Sequence, residues 1–212
     1  MMKQLLLVAI VLLSISTSNA QEIKLGAKAG VNLSTIEGDF TQNIESYTGF
    51  HLGGFAEVVI SEKFSFQPEL LFSAQGYNES SFDSGFNFSR DYKAEVRANY
   101  LNMPLMAKYY VTDGLSIEAG PYVGVLLSSN IEGRLNQTFD GETEITLINE
   151  DYSDELNTID YGVGAGVSYK MSNGINFSAR YNLGLSNTEG RFEDQIKQQN
   201  QVIQISVGYF FN

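Results

Sequence analysis

The chain has 212 residues, a formal net charge of −12 and no cysteine. So acidic a chain argues against nucleic acid or anionic lipid as its main partner. An exported chain without cysteine has neither a disulfide framework nor a thiolate metal site.

The first 20 residues read as a Sec signal peptide. Lys3 supplies the positive start, residues 5–13 an apolar core, and Ser18, Asn19 and Ala20 a small-residue cleavage site. Cleavage is expected between Ala20 and Gln21, and loss of Lys3 takes the net charge to −13. Residues 21–212 then fit one domain. Past the signal no apolar run is long enough for a membrane helix. If this chain crosses a membrane, it must do so as a closed barrel.

Eight segments alternate with a period of two, the pattern of a strand with one apolar face. The first sets Leu25, Ala27, Ala29, Val31 and Leu33 against Lys24, Gly26, Lys28 and Gly30. The second sets Phe50, Leu52, Ala56 and Val58 against His51, Gly53, Phe55 and Glu57, and the third Phe64, Phe66, Leu70 and Phe72 against Ser65, Gln67 and Glu69. Residues 100–127 form the clearest pair. Leu101, Met103 and Leu105 oppose Asn102 and Lys108, and Ile117, Val123 and Val125 oppose Glu118 and Tyr122. Asp113-Gly114 between these arms predicts a tight turn with positive φ angles. The sixth segment sets Tyr161, Val163, Ala165 and Val167 against Asp160, Gly162, Gly164, Gly166 and Lys170. The seventh sets Phe177, Ala179 and Tyr181 against Asn176, Ser178 and Arg180, and the eighth Ile203, Ile205 and Val207 against Gln204, Ser206 and Gly208.

Short turns at residues 61–63, 112–114 and 172–174 alternate with long polar loops at 34–45, 76–95, 129–157 and 186–199. Strands of about 10 residues joined in this way describe an eight-stranded, antiparallel, up-and-down transmembrane β-barrel with both termini periplasmic. No charged residue falls on the apolar face of any segment. A soluble barrel would turn that face inward; in lipid the same pattern reads inside out. Aromatics gathered at the turn end (Phe64, Phe66, Tyr109, Tyr169, Tyr209 and Phe211) suit a membrane girdle and favour lipid. Pro68, Pro104 and Pro121 all fall inside strands and should each mark a bulge or a gap in the ladder.

Residues 100–105 (Tyr-Leu-Asn-Met-Pro-Leu), Lys108-Tyr109-Tyr110, residues 119–124 (Ala-Gly-Pro-Tyr-Val-Gly), the YGVGAG run at 161–166 and the ending Gly208-Tyr209-Phe210-Phe211 carry a resemblance. They resemble the PorT-type outer-membrane β-barrel domain of Bacteroidetes, close in architecture to small OmpA/OmpX-like barrels. The resemblance covers the chain from about Ile23 and implies a Gram-negative outer-membrane location. It brings no catalytic motif. Because some members assist secretion machinery, it implies envelope or secretion-machinery proteins as partners besides outer-membrane lipid. One departure is Asn212 at the end, where such barrels usually place an aromatic residue; Phe211 keeps the period.

An eight-stranded barrel has an interior just wide enough for side chains. Lys24, Lys28, Lys108, Lys170 and Arg180 face Glu57, Glu69, Glu118 and Asp160 there, so a charge network filling the lumen is expected, with Lys108 and Glu118 a cross-strand pair. The first reading of function is a monomeric barrel with a structural or envelope-interaction role, without catalysis or cofactor. The second is a narrow channel. The third is a lipid-modifying enzyme using His51, the only histidine, with Ser65 and Glu69. Loop 129–157 carries eight acids against Arg134 alone. Asp140-Gly141-Glu142-Thr143-Glu144 within it suggests calcium but lacks EF-hand spacing. Residues 145–148 are expected to extend the hairpin and offer an edge to a partner.

Overall fold

The computed structural model describes residues 22–190 and 196–211. The signal segment, its cleavage point and Asn212 lie outside the described residues. Among the described residues nine strands follow in order: β1 (Ile23–Gly38), β2 (Ile44–Val59), β3 (Phe64–Gly85), β4 (Phe88–Tyr110), β5 (Leu115–Phe139), β6 (Glu142–Asp151), β7 (Ile159–Lys170), β8 (Ile175–Gly184) and β9 (Gln198–Phe210). Eight close a ring in the order β1-β2-β3-β4-β5-β7-β8-β9, with β9 pairing back onto β1. Every ladder is antiparallel. This is the eight-stranded up-and-down barrel that the alternation predicts. β6 stands outside the ring, paired with the far half of β5.

The barrel is inside out relative to a soluble fold. Glu57 and Lys108 are each 1% exposed and Glu69 3%, whereas Leu25 is 51% and Ile205 54% exposed. A wall of exposed aliphatic and aromatic side chains around buried charges is stable only when the wall is covered by lipid. No helix among the described residues is long and apolar enough to cross a membrane; the strands do the crossing. Phe64 and Tyr109 pack at 5.0 Å and Tyr209 and Phe211 at 6.1 Å near the turn end, with Phe50 and Phe72 at 5.6 Å nearer the other rim.

Two of the expected loops are strand instead. Residues 76–95 are the outer parts of β3 and β4, joined through Phe86 and Asn87, and residues 129–157 hold the end of β5, all of β6 and a 3-10 turn at Ser153–Glu155. Above the membrane both faces meet water, so the apolar-polar alternation fades while the backbone ladder continues. β3, β4, β5 and β6 therefore form a sheet rising beyond the ring. Ser153 N–H donates to Asp151 Oδ1 at 2.8 Å, and this backbone bond holds the Asp151 carboxyl below the usual carboxylate range.

The turns differ from the expectation in one respect. Neither Asp113 nor Gly114 has a positive φ. That connection closes by Val111 N–H to Leu115 C=O at 2.8 Å and by Leu115 N–H to Thr112 Oγ1 at 3.1 Å. The left-handed pair is Asp140 (φ 48°) and Gly141 (φ 86°), where β5 meets β6. Both residues being left-handed is the two-residue hairpin geometry, so Asp140-Gly141 serves as a turn. Among the described residues no group of three His, Cys, Asp or Glu converges as a metal site.

The prolines interrupt the ladder without shifting it. β3–β4 pairing skips from Pro68↔Leu105 to Leu71↔Asn102, and β4–β5 pairing skips from Pro104↔Tyr122 to Ala107↔Ala119, each with its register unchanged. Pro121 falls in the second of these gaps on its β4 side, while its β7 side stays in an unbroken run opposite Val163. The register shifts occur elsewhere, between Ser46 and His51 and between Asn99 and Tyr100.

Candidate functional site: the buried charge network

Side chains on the inner face point toward the barrel axis, so their partners lie across the lumen rather than along the ladder. Arg180 on β8 is the centre. Its Nη1 and Nη2 donate to Glu69 Oε2 and Oε1 at 3.0 and 2.8 Å, while its Nε donates to Glu118 Oε1 at 2.8 Å. β3 and β8 stand four places apart in the eight-membered ring, so this forked pair spans its full width. Lys28 on β1 reaches Glu69 Oε2 at 2.6 Å, and Gln67 Nε2 donates to Glu69 Oε1 at 2.7 Å. Two cations and two carboxylates, all buried, compensate one another. The planar guanidinium suits this position because it presents a fixed fork to carboxylates.

A second cluster lies toward the turns. Lys108 Nζ is 3.5 Å from Glu57 Oε2 and donates to Gln67 Oε1 at 3.1 Å; Tyr110 Oη donates to Glu57 Oε1 at 2.7 Å. The register does set Lys108 directly opposite Glu118, but the expected pair between them does not form. Lys108 turns to Glu57 and Glu118 to Arg180, each joining strands two places apart. Lys24 and Lys170 stay at the rim. Lys24 pairs with Glu22 at 3.3 Å and the Lys170 ammonium lies 4.1 Å from the Phe210 ring centroid. They line a funnel of about 870 Å³ that opens at the turn end and includes Glu57 and Tyr110.

Asp160 belongs to a third cluster toward the loop side. It accepts from Ser186 Oγ at 2.5 Å, Tyr122 Oη at 3.2 Å and Asn200 Nδ2 at 3.3 Å. No cation is among these partners; neutral donors hold the carboxylate.

Between the clusters, His51 joins a hydrogen-bonded chain of neutral groups. Asn32 Nδ2 is engaged by Ala74 C=O at 2.8 Å, Ser73 Oγ at 3.0 Å and Phe50 C=O at 3.1 Å, which leaves Asn32 Oδ1 facing the imidazole. His51 Nδ1 therefore donates to Asn32 Oδ1 at 2.7 Å, and His51 Nε2 accepts from Ser206 Oγ at 2.7 Å. Gln204 Nε2 also donates to Asn32 Oδ1 at 3.1 Å. The expected grouping of His51 with Ser65 and Glu69 is not assembled. Ser65 stands opposite Val59 and Lys108 in the ladders, and Glu69 is held by Lys28, Gln67 and Arg180. Charge alone does not mark Gln67, Asn32, Ser206 or Tyr122. Their signal is position: Asn32, Gln67 and Tyr122 each share the inner face of a strand with a charged residue, and Ser206 lies on the inner face of β9 with Gln204.

Gly30 makes this chain possible. A Cβ there would sit 2.0 Å from Ile205 C=O and 2.7 Å from His51 Cε1. Gly30→Val is expected to destabilise the barrel by about 1–3 kcal/mol through overpacking. Urea titration in lipid vesicles checks this; an unchanged midpoint would contradict the close approach.

Residues 19–190 match the family described as outer membrane protein beta-barrel domain. The chain belongs to this family. An outer-membrane location follows for this barrel. Among solved structures of low sequence identity, Ail of Yersinia pestis is 13% identical with a TM-score of 0.46, over 90% of this chain and 99% of that one. Neisserial surface protein A is 14% identical with a TM-score of 0.42, over 91% and 100%. OprG of Pseudomonas aeruginosa is 16% identical with a TM-score of 0.41, over 92% and 98%. No curated protein sequence matches the chain.

Proposed function

We propose that this protein is a monomeric, non-catalytic outer-membrane barrel of the PorT type, sealed by its own lumen charges, whose loop-side sheet meets other envelope proteins. The observation that carries the sealed interior is the Arg180 fork, which joins β8 to Glu69 on the opposite wall while also holding Glu118. A void in the lumen, lined by residues such as Leu71, Tyr122 and Gln204, measures only about 10 Å³, the lower limit for one water molecule. Periplasmic termini are supported by geometry: the start of β1 and the end of β9 lie at the barrel end that carries the three short turns. The PorT likeness rests on the residues around 100–124 and on the glycine-rich inner face of β7.

An acyl-transfer reading draws on the Ser206–His51–Asn32 order, which matches a nucleophile, base and orienting group. Burial argues against it: Ser206 is 4% exposed and Asn32 fully enclosed, so an acyl chain has no approach. The test of the sealed lumen is planar-bilayer recording of the purified barrel. The expected trace is silent at symmetric salt, and steady unitary conductance would replace this reading by the narrow channel.

A further inference from the structure

We infer that β6 is a docking edge for an extended segment of another protein in which basic and apolar residues alternate. This rests on the proposed interaction role of the loop-side sheet and names the chemistry of its partner. In the ring each strand is paired on both sides through its membrane span, but β6 ends the strand order, paired only with β5. Its ladder runs unbroken from Phe139↔Glu142 to Asn130↔Asp151, so the whole ten-residue strand presents a straight outer edge. Exposed edges of this length are normally blunted by charged side chains, lysine above all, by proline or by a bulge. β6 has no lysine, proline or bulge; its charges are all acidic, so they repel an acidic segment and admit a basic one. It carries exposed apolar side chains instead, with Leu147 at 77% and Ile145 at 53%.

The two faces of β6 define what fits. Ile145 and Leu147 share one face; Glu142, Glu144 and Glu150 share the other. An added strand places its alternate residues over the same two faces. The matching segment therefore has apolar residues beside Ile145 and Leu147 and Lys or Arg beside the glutamates, because opposite charges across a ladder stabilise and like charges repel. A second copy of this chain does not fit. Copies inserted in one membrane point the same way, so their β6 strands would run parallel through identical edges, which sets the glutamate face of one beside the Ile145 and Leu147 face of the other and supplies no cation to the glutamates.

The full-length barrel in lipid nanodiscs tests this with a ten-residue peptide alternating Lys and Val. Binding is expected, and a peptide of the same composition in scrambled order should bind at least tenfold more weakly. N-methylation of alternate backbone nitrogens, which preserves charge but removes strand hydrogen bonding, should cost as much. The variant E142K/E144K/E150K should reverse the preference toward a Glu–Val peptide. Equal binding of the scrambled or N-methylated peptides would overturn the edge assignment, as would disulfide-linked dimers of Leu147→Cys in place of peptide binding. The outcome is separable from bilayer conductance: a silent barrel that ignores the peptide loses only the edge, and a conducting barrel that binds it loses only the sealed lumen.

Discussion

Replacing Arg180 by methionine is expected to cost about 3–5 kcal/mol, the range for removing one partner of a buried ion pair. The loss arises from what remains. Glu69 keeps Lys28 and Gln67, but Glu118 loses the guanidinium that holds it. Urea unfolding in lipid vesicles, followed by the gel mobility of the folded barrel, reads the change. The double variant Arg180→Met, Glu118→Gln should recover part of it, because the orphaned charge is then gone. A loss below about 1 kcal/mol for Arg180→Met would mean that the fork contributes little beyond filling space, as pairs open to water do.

Ile205→Arg is the second large effect, and it separates a lipid-covered wall from a wetted one. Ile205 points outward on β9 opposite Val31 and Ala179, well inside the spanning part of all three strands. A guanidinium on a lipid face near mid-depth costs about 2–4 kcal/mol, falling to about 0–1 near the interface. Gln201→Arg, four residues toward the loops on the same face, should therefore be nearly neutral. On a surface facing water both changes would lie within about 0.5 kcal/mol of wild type. Equal effects at the two positions would remove the depth dependence and with it the lipid-facing wall.

The faces of the strands were legible because a strand alternates whatever its neighbours do. Leu25 outward and Lys28 inward follow from period two alone, and the absence of charge from one face separates wall from lumen. The outer halves of β3, β4 and β5 were not legible. Once both faces are solvated, Lys93, Glu95, Glu132 and Arg134 look like loop, although they pair in continuous ladders. Asp-Gly pairs carry a similar ambiguity. The dipeptide permits left-handed φ at both 113–114 and 140–141, but only the second connection, a two-residue link between strands in register, requires it.

The sequence by itself determined which residues line each face of a closed barrel; the structure buries seven of the nine predicted inner charges deeply and leaves Lys24 and Lys170 at the rim. Only the tertiary structure decided who pairs with whom. Lys108 and Glu118 are neighbours in the ladder yet bond elsewhere, since inner side chains converge on the axis and meet groups two to four strands away. The same closure brings Asn32, His51 and Ser206 from β1, β2 and β9 into one hydrogen-bonded chain. Ring closure also sets β6 apart, because eight strands complete the circle and leave the ninth with an open edge.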